Sequence, residues 1–559
     1  MEVRTHAATL SYRMVDLWYK NAVVYCLDVE TYVDSNGDGI GDFAGLTHRL
    51  DHVSGLGVNC IWLMPFFPTP NRDDGYDVID YFDVDRRLGN PGEFVNFTRE
   101  ARERGIRVII DLVVNHTSSE HPWFQMGRSD PASPYRSYYI WADEPPEDAD
   151  DGVIFPGHQE STWTYDEEAG QYYHHRFYEH QPDLNIGNPA VQEQIEHIMG
   201  YWIELGVSGF RLDAAPFLVE IRGTGSPNRD DRFGYLNEMR TFLQWRQGDA
   251  IMLAEANVKR EEILEYFGDG YRMHMVFGFL INQKTFLSLA RGDARPLAHM
   301  LRELPRIPRT GQWAMFLRNH DELDLGRLSD KERQEVFDAF APDEEMRLYD
   351  RGIRRRLATM LDGDLDRLKL AYALLFSLPG TPVIYYGDEI GMGDDLDLPE
   401  RDGLRTPMQW SDEKNAGFST APADRLVRPI VQEGAFGYEH VNVADSGRNP
   451  DSLMNAVEKM IRTRRGTPEF GWGDFRIIET DVEEVLVHRC DWRGNTIVAI
   501  HNMGDAPREV TIEVDEYEAL DEWTDILEDR DYPRLDAAER KIPVGEYGYR
   551  WLRLHGTRR

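Results

Sequence analysis

Eight short apolar runs recur between Val23 and Glu389: VVYCLDV (Val23–Val29), IWLMPFF (Ile61–Phe67), VIIDLVV (Val108–Val114), GFRLDA (Gly209–Ala214), IMLAEA (Ile251–Ala256), HMVFGF (His274–Phe279), WAMFLRN (Trp313–Asn319) and TPVIYYGDE (Thr381–Glu389). Runs that are apolar throughout, rather than alternating, belong to strands buried on both faces, as in a parallel sheet. Amphipathic stretches between them supply the crossover helices. Asn188-Pro189, for example, reads as an N-cap and first helical residue opening a stretch that runs to Leu205 and stops at Gly206. Eight such units favour closure into a (β/α)8 TIM barrel over an open sheet.

Two connections are too long for a plain strand–helix link. Residues 118–184, rich in Pro, aromatic and acidic residues, need packing of their own and read as an inserted subdomain after the third strand. Residues 322–360 read as a lid-like insertion after the seventh. The barrel itself is then residues 1–117 and 185–465. From about Gly471 the pattern turns period-two (VLVHRC, TIVAIHN, REVTIEV), which predicts a C-terminal antiparallel β-sandwich domain over 471–559.

Composition narrows the partners. Acidic residues number 99 against 62 basic, for a net charge of −37. That field repels phosphate backbones and anionic lipid surfaces, so neither nucleic acid nor membrane is expected; a small neutral sugar is indifferent to it. The acidity fits solubility of a large surface and adaptation to high salt equally well. Cys26, Cys60 and Cys490 are too few for a disulfide framework and predict a reducing, cytoplasmic setting. No signal-like leader or spanning apolar run occurs. Oligomeric state is open, a homo-oligomer included.

Four of the runs carry acids at their ends: Asp111, Asp213, Glu255 and Asp321, with His116 and His320 among them. A barrel gathers strand ends at one face, so distant carboxylates share one pocket. Any single strand-end carboxylate is ordinarily a structural ion pair; four with two histidines suit carboxylate catalysis. Retaining glycoside chemistry needs a nucleophilic carboxylate and a carboxylic acid about 5 Å apart. Asp213 and Glu255, on adjacent predicted strands, meet that need. Arg211, on the same strand face as Asp213, is placed to keep it ionised; the apolar residues before Glu255 favour the protonated form.

DLVVNH, GFRLDA, the LAEA glutamate and RNHD resemble the signature regions of the α-amylase superfamily (glycoside hydrolase family 13), and QPDLN (Gln181–Asn185) its additional region. The resemblance implies Asp213 as nucleophile, Glu255 as general acid/base and Asp321 as the residue gripping the sugar in the −1 subsite. Arg211, His116 and His320 would support them, and Tyr76 of DDGYDV would stack under the −1 ring. Asp73, paired with Arg405 or, as second choice, Arg401, would close the non-reducing end and make the site exo-acting. Within the superfamily, HHRFYEHQPDLN, LAEAN with Asn257, and the stretch from NHDEL through GIRRRLA are similar to the maltose α-D-glucosyltransferases, which isomerise maltose and trehalose by intramolecular transfer. The alternative is an exo-acting α-glucosidase; a catalytically dead transporter subunit or binding module is disfavoured by the intact carboxylates. Asp28 and Glu30 stand where that group has a histidine or tyrosine and then an arginine, and HHRFY replaces WHRFY.

Asp34, Asn36, Asp38, the Ile40 carbonyl and Asp42 space oxygen donors as in the first part of an EF-hand loop, with Gly39 at the sharp turn. Position twelve is Gly45, so the bidentate glutamate is missing. Structural calcium is expected here, and no organic cofactor. The resemblance implies a second calcium site at Asn115, Asp183 and Glu220 with the carbonyls of Phe217 and Leu218.

Overall fold

The computed structural model describes residues 17–147, 149–150, 152–157, 159–219, 233–512, 523–533, 535 and 541–554. All eight apolar runs hold a strand: β1 (Val24–Leu27), β2 (Cys60–Leu63), β3 (Arg107–Leu112), β4 (Gly209–Leu212), β5 (Ile251–Ala254), β6 (Met275–Phe277), β7 (Gln312–Phe316) and β8 (Thr381–Tyr385). Each pairs in parallel with its neighbours in chain order, and β8 returns to β1 with Val383 opposite Val24, closing the barrel. The first run ends early. Asp28 accepts the Glu30 N–H at 2.9 Å and caps a one-turn helix, Val29–Tyr32, so the strand stops at Leu27.

Local chemistry places the other elements. Asn188 accepts the Ala190 N–H at 3.0 Å and opens the helix Pro189–Glu204, which buries Val191, Ile195, Ile198, Met199 and Trp202. At the start of β4, a Cβ on Gly209 would fall 2.4 Å from the Ile251 carbonyl oxygen, so only glycine lets the strand lie flush on β5 there.

In the first insertion, Gln171–His174 is the central strand between Trp141–Ala142 and Trp163–Asp166, with the helix Pro122–Ser129 beside them. The second builds three two-residue strands, Leu323–Asp324, Arg347–Leu348 and Gly352–Ile353, around the helix Asp330–Phe340, which Ser329 and Glu332 close with a capping box. The C-terminal region is a five-stranded antiparallel sheet (Asp474–Ile478, Val485–Trp492, Asn495–Asn502, Tyr549–Leu554, Trp523–Glu528 in spatial order) with a two-stranded pair, Arg508–Thr511 and Lys541–Val544. Val487, Val498, Ile500 and Leu552 of the sheet pack with Val510 and Ile542 of the pair. Cys26, Cys60 and Cys490 are free and buried, and among the described residues no helix is long and apolar enough to cross a membrane.

Candidate active site

Asp213 directly follows β4, Glu255 directly follows β5 and Asp321 lies in the loop after β7. All three line one cavity of about 490 Å³, within the ~300–1,000 Å³ range usual for small-ligand sites. Arg211 organises its floor. The side chain is 1% exposed; Nη1 lies 2.5 Å from both Asp111 Oδ1 and Asp213 Oδ1, and Nη2 lies 2.7 Å from Glu255 Oε2. Asp213 and Glu255 are thus no further apart than one guanidinium and two hydrogen bonds. Asp111 gives its other oxygen to Trp62 Nε1 at 2.8 Å and is fully buried, beneath the pocket rather than in it.

The turn after β4 is bent to serve Glu255. Ala214 sits at φ +49°, a left-handed conformation unusual for a residue with a Cβ. Its N–H reaches Glu255 Oε2 at 3.1 Å, and the next N–H reaches the Glu255 carbonyl at 3.2 Å. Strain of this kind collects at active sites.

Burial, opposed by Arg211, raises the Glu255 carboxyl to about 7, with Asp213 and Asp321 adding to the rise. Burial likewise raises Asp213 to about 6 against Arg211. The sequence expectation that Arg211 singles out Asp213 needs correction: one guanidinium divides its charge among three carboxylates. Both carboxyls are raised by burial and both are drawn down by Arg211. Asp321 differs. Burial would raise it, but His320, Arg401 and Arg405 outweigh that and hold it well below the usual carboxylate range.

His320 Nε2 shares a 2.7 Å hydrogen bond with the Tyr76 hydroxyl, and the two rings stack at 5.6 Å. Burial pulls the His320 imidazole down to about 3, against the opposing charge of Asp321. His116 Nε2 meets the Tyr76 carbonyl at 3.0 Å and is held low by burial too. Tyr76 and His116 both line the cavity.

The closing ion pair is the second choice of the sequence reading. Arg401 bridges Asp73 Oδ1 at 3.0 Å and Asp321 Oδ1 at 2.8 Å. Arg405 pairs instead with Asp74 at 2.8 Å, touches Asp321 at 3.2 Å and donates to the His320 carbonyl at 2.9 Å. Gln181 occupies the other oxygen of Asp73, and Arg428 takes the other oxygen of Asp74 at 2.5 Å. Adjacent acids thus select different arginines, which motif spacing could not decide. Asn257 lines the cavity; its Oδ1 has no hydrogen-bond partner among the described residues.

Several wall residues were given no role by the sequence. Ile154, Phe155 and Phe177 come from the first insertion, and Glu322, Asp324, Gly326, Arg327 and Arg351 from the second. Phe279 and Val258 follow barrel strands. Glu322, raised to about 7 by burial, was the one with a legible signal: a carboxylate adjoining Asp321 at a strand end.

The Asp34–Asp42 loop is a series of Asx turns. Asp34 accepts from the N–H groups of Asn36 (3.0 Å), Gly37 (2.7 Å) and Gly39 (2.8 Å), Asn36 from Asp38 (2.9 Å), and Asp38 from Ile40 (2.9 Å). Gly39 stands at φ +101°, where a Cβ would strike the Arg425 carbonyl. The donor set is all oxygen, the kind calcium takes, but the protein's own N–H groups already hold the loop. At the second position Asp183 accepts from Asn115 Nδ2 (3.2 Å) and the Arg176 N–H (3.0 Å), with His174 Nδ1 3.2 Å away. The Arg176 guanidinium lies 4.5 Å over the Phe217 ring, Leu218 is buried, and Glu220 lies outside the described residues. That donor set suits a cation poorly, because Asn115 turns its Nδ2 on Asp183 and N–H donors already take that carboxylate. Among the described residues no three His, Cys, Asp or Glu side chains gather as a metal site needs.

The sequence matches the family "Alpha amylase, catalytic domain" over residues 29–340 and 351–473, and "Sucrose hydrolase-like, C-terminal domain" over 494–553. It is 40% identical to a trehalose synthase of Pimelobacter sp., covering 96% of each chain. It is 42% identical to a trehalose synthase of Thermus thermophilus across 96% of this chain but 55% of that one, so it spans about half the length of that relative. Among solved structures, an α-amylase from H. orenii superposes with a TM-score of 0.78 at 27% identity, covering 96% of this chain and 100% of that one. Barrel, strand-end carboxylates and sequence match agree: the chain belongs to the α-amylase family.

Proposed function

We propose that this protein interconverts maltose and trehalose by intramolecular transglucosylation. The observation that carries the reading is the blind end of the cavity, where Arg401 ties Asp73 to Asp321 beside Asp213 and Glu255. That end suits one terminal glucose, and relatives alike across the chain are named trehalose synthases. Asp321 and the Asp73–Arg401 pair hold the non-reducing glucose over Tyr76, with His116 beside it, His320 fixing the Tyr76 hydroxyl from behind, and Asn257 facing the second sugar. Asp213 attacks the anomeric carbon while Glu255 gives its proton to the bridging oxygen. The C–O bond breaks, a β-glucosyl ester forms and glucose is released into the cavity. That glucose turns and presents its own anomeric hydroxyl. Glu255, now a carboxylate, takes the proton as the oxygen attacks and the ester breaks, restoring Asp213. Two inversions give net retention.

An α-glucosidase would use the same carboxylates with water as acceptor. Incubation of pure protein with maltose is expected to give trehalose in excess over glucose; glucose alone would sink the isomerase reading.

We further propose that the Asp34–Asp42 loop takes one structural calcium ion, supported by its all-oxygen donors. Chelation is expected to lower the melting temperature, and calcium to restore it. An unchanged midpoint with no calcium by elemental analysis removes the proposal. The three buried free thiols support a cytoplasmic setting.

A further inference from the structure

Three loops of separate origin meet at one carboxylate. Tyr178 of the first insertion donates its hydroxyl to Glu400 Oε2 at 2.6 Å. Tyr349 of the second donates to the same oxygen at 2.9 Å, and the two hydroxyls are 3.2 Å apart. Glu400 belongs to the loop after β8 and immediately precedes Arg401. None of the three lines the cavity; Phe155 does, and it is held between them. Its ring stacks on Tyr178 at 4.6 Å, packs on Tyr349 at 4.7 Å, and lies 5.5 Å beneath the Arg401 guanidinium. Arg354 braces the same seam, donating to the carbonyls of Glu345 (2.7 Å), Leu398 (2.7 Å) and Glu400 (2.9 Å).

The backbone is strained at this seam. Tyr349, Asp350 and Glu400 stand at φ +54°, +59° and +41°, none of them glycine. Left-handed residues with a Cβ persist only where the surroundings over-determine them, and they cluster at clamps and switches. Two tyrosine hydroxyls on one Glu400 oxygen tie together the loops that carry this strain.

We infer that Tyr178, Tyr349 and Glu400 form a clasp that keeps the released glucose in and water out, and so set the ratio of transfer to hydrolysis. The inference rests on the isomerase reading. The three residues are positioning residues, acting through Phe155 and Arg401. Opening the clasp leaves Asp213 and Glu255 in place but lets the glucosyl ester meet water or outside glucose.

The test uses the full chain with maltose and ¹⁴C-glucose, comparing Tyr349→Phe, Glu400→Ala and Glu400→Gln with wild type. Wild type is expected to make trehalose carrying little label. Glu400→Ala should raise the glucose-to-trehalose ratio on the order of tenfold, the scale of one lost hydrogen bond, and label the trehalose. Tyr349→Phe should do so less, and Glu400→Gln, which keeps an acceptor oxygen, should recover most of the wild-type ratio. A structural role alone would lower total turnover with the ratio unchanged. Unchanged ratio and labelling in Glu400→Ala with a normal melting temperature overturn the clasp. Should Glu400→Ala fail to fold, Tyr349→Phe, which loses only a hydroxyl, decides by the same readout. Wild type yielding glucose alone overturns the isomerase reading instead.

Discussion

Asp213→Ala is expected to lose turnover of maltose by about 10⁴-fold or more, the scale seen when a covalent nucleophile is removed. Folding should be retained, because Arg211 keeps Asp111 and Glu255 as partners. The roles of the two carboxylates can then be read from an activated donor, α-glucosyl fluoride, with azide. In Asp213→Ala, azide enters the face the nucleophile vacated and gives the β-azide. In Glu255→Ala the glucosyl ester still forms, and azide displaces it to give the α-azide. Double displacement requires these opposite outcomes. Appreciable maltose turnover by Asp213→Ala, or the reverse pair of anomers, would remove the assignment.

Arg211→Met carries the second large effect, on stability and pH dependence together. Its side chain is 1% exposed and shares a single positive charge among three desolvated carboxyl groups. Removing one partner of a buried ion pair costs about 3–5 kcal/mol, so the thermal midpoint should fall clearly. The pH consequence has a definite sign. Wild-type kcat/KM needs Asp213 ionised and Glu255 protonated, so activity rises through about 6 and falls through about 7. Arg211 lowers both carboxyls; without it both move up, and the bell shifts to higher pH. An unmoved bell with an unmoved midpoint would show that Arg211 does not couple the two acids.

How far the chain could be read without coordinates differs from residue to residue. Barrel strands were legible because burial on both faces forces an unbroken apolar run, as in Val108–Val114, and strand ends must then converge. Asp213, Glu255 and Asp321 followed, since each adjoins such a run. The strand β1 was overextended because Asp28 looks like a strand residue until its carboxylate is seen to cap Glu30. The sequence set Arg211 beside Asp213 and gave no sign that it would also reach Glu255.

The amino-acid sequence alone determined the barrel, the acids at its rim and the family, because burial pattern and strand-end position are local properties that survive in one dimension. Only the tertiary structure decided which arginine closes the glucose end, and that Tyr178, Tyr349 and Glu400 meet. Asp73 and Asp74 adjoin in sequence, as do Glu400 and Arg401, yet each points to a different partner. The angle at which long loops return to a barrel fixes such choices, and that angle comes from packing summed over the whole fold.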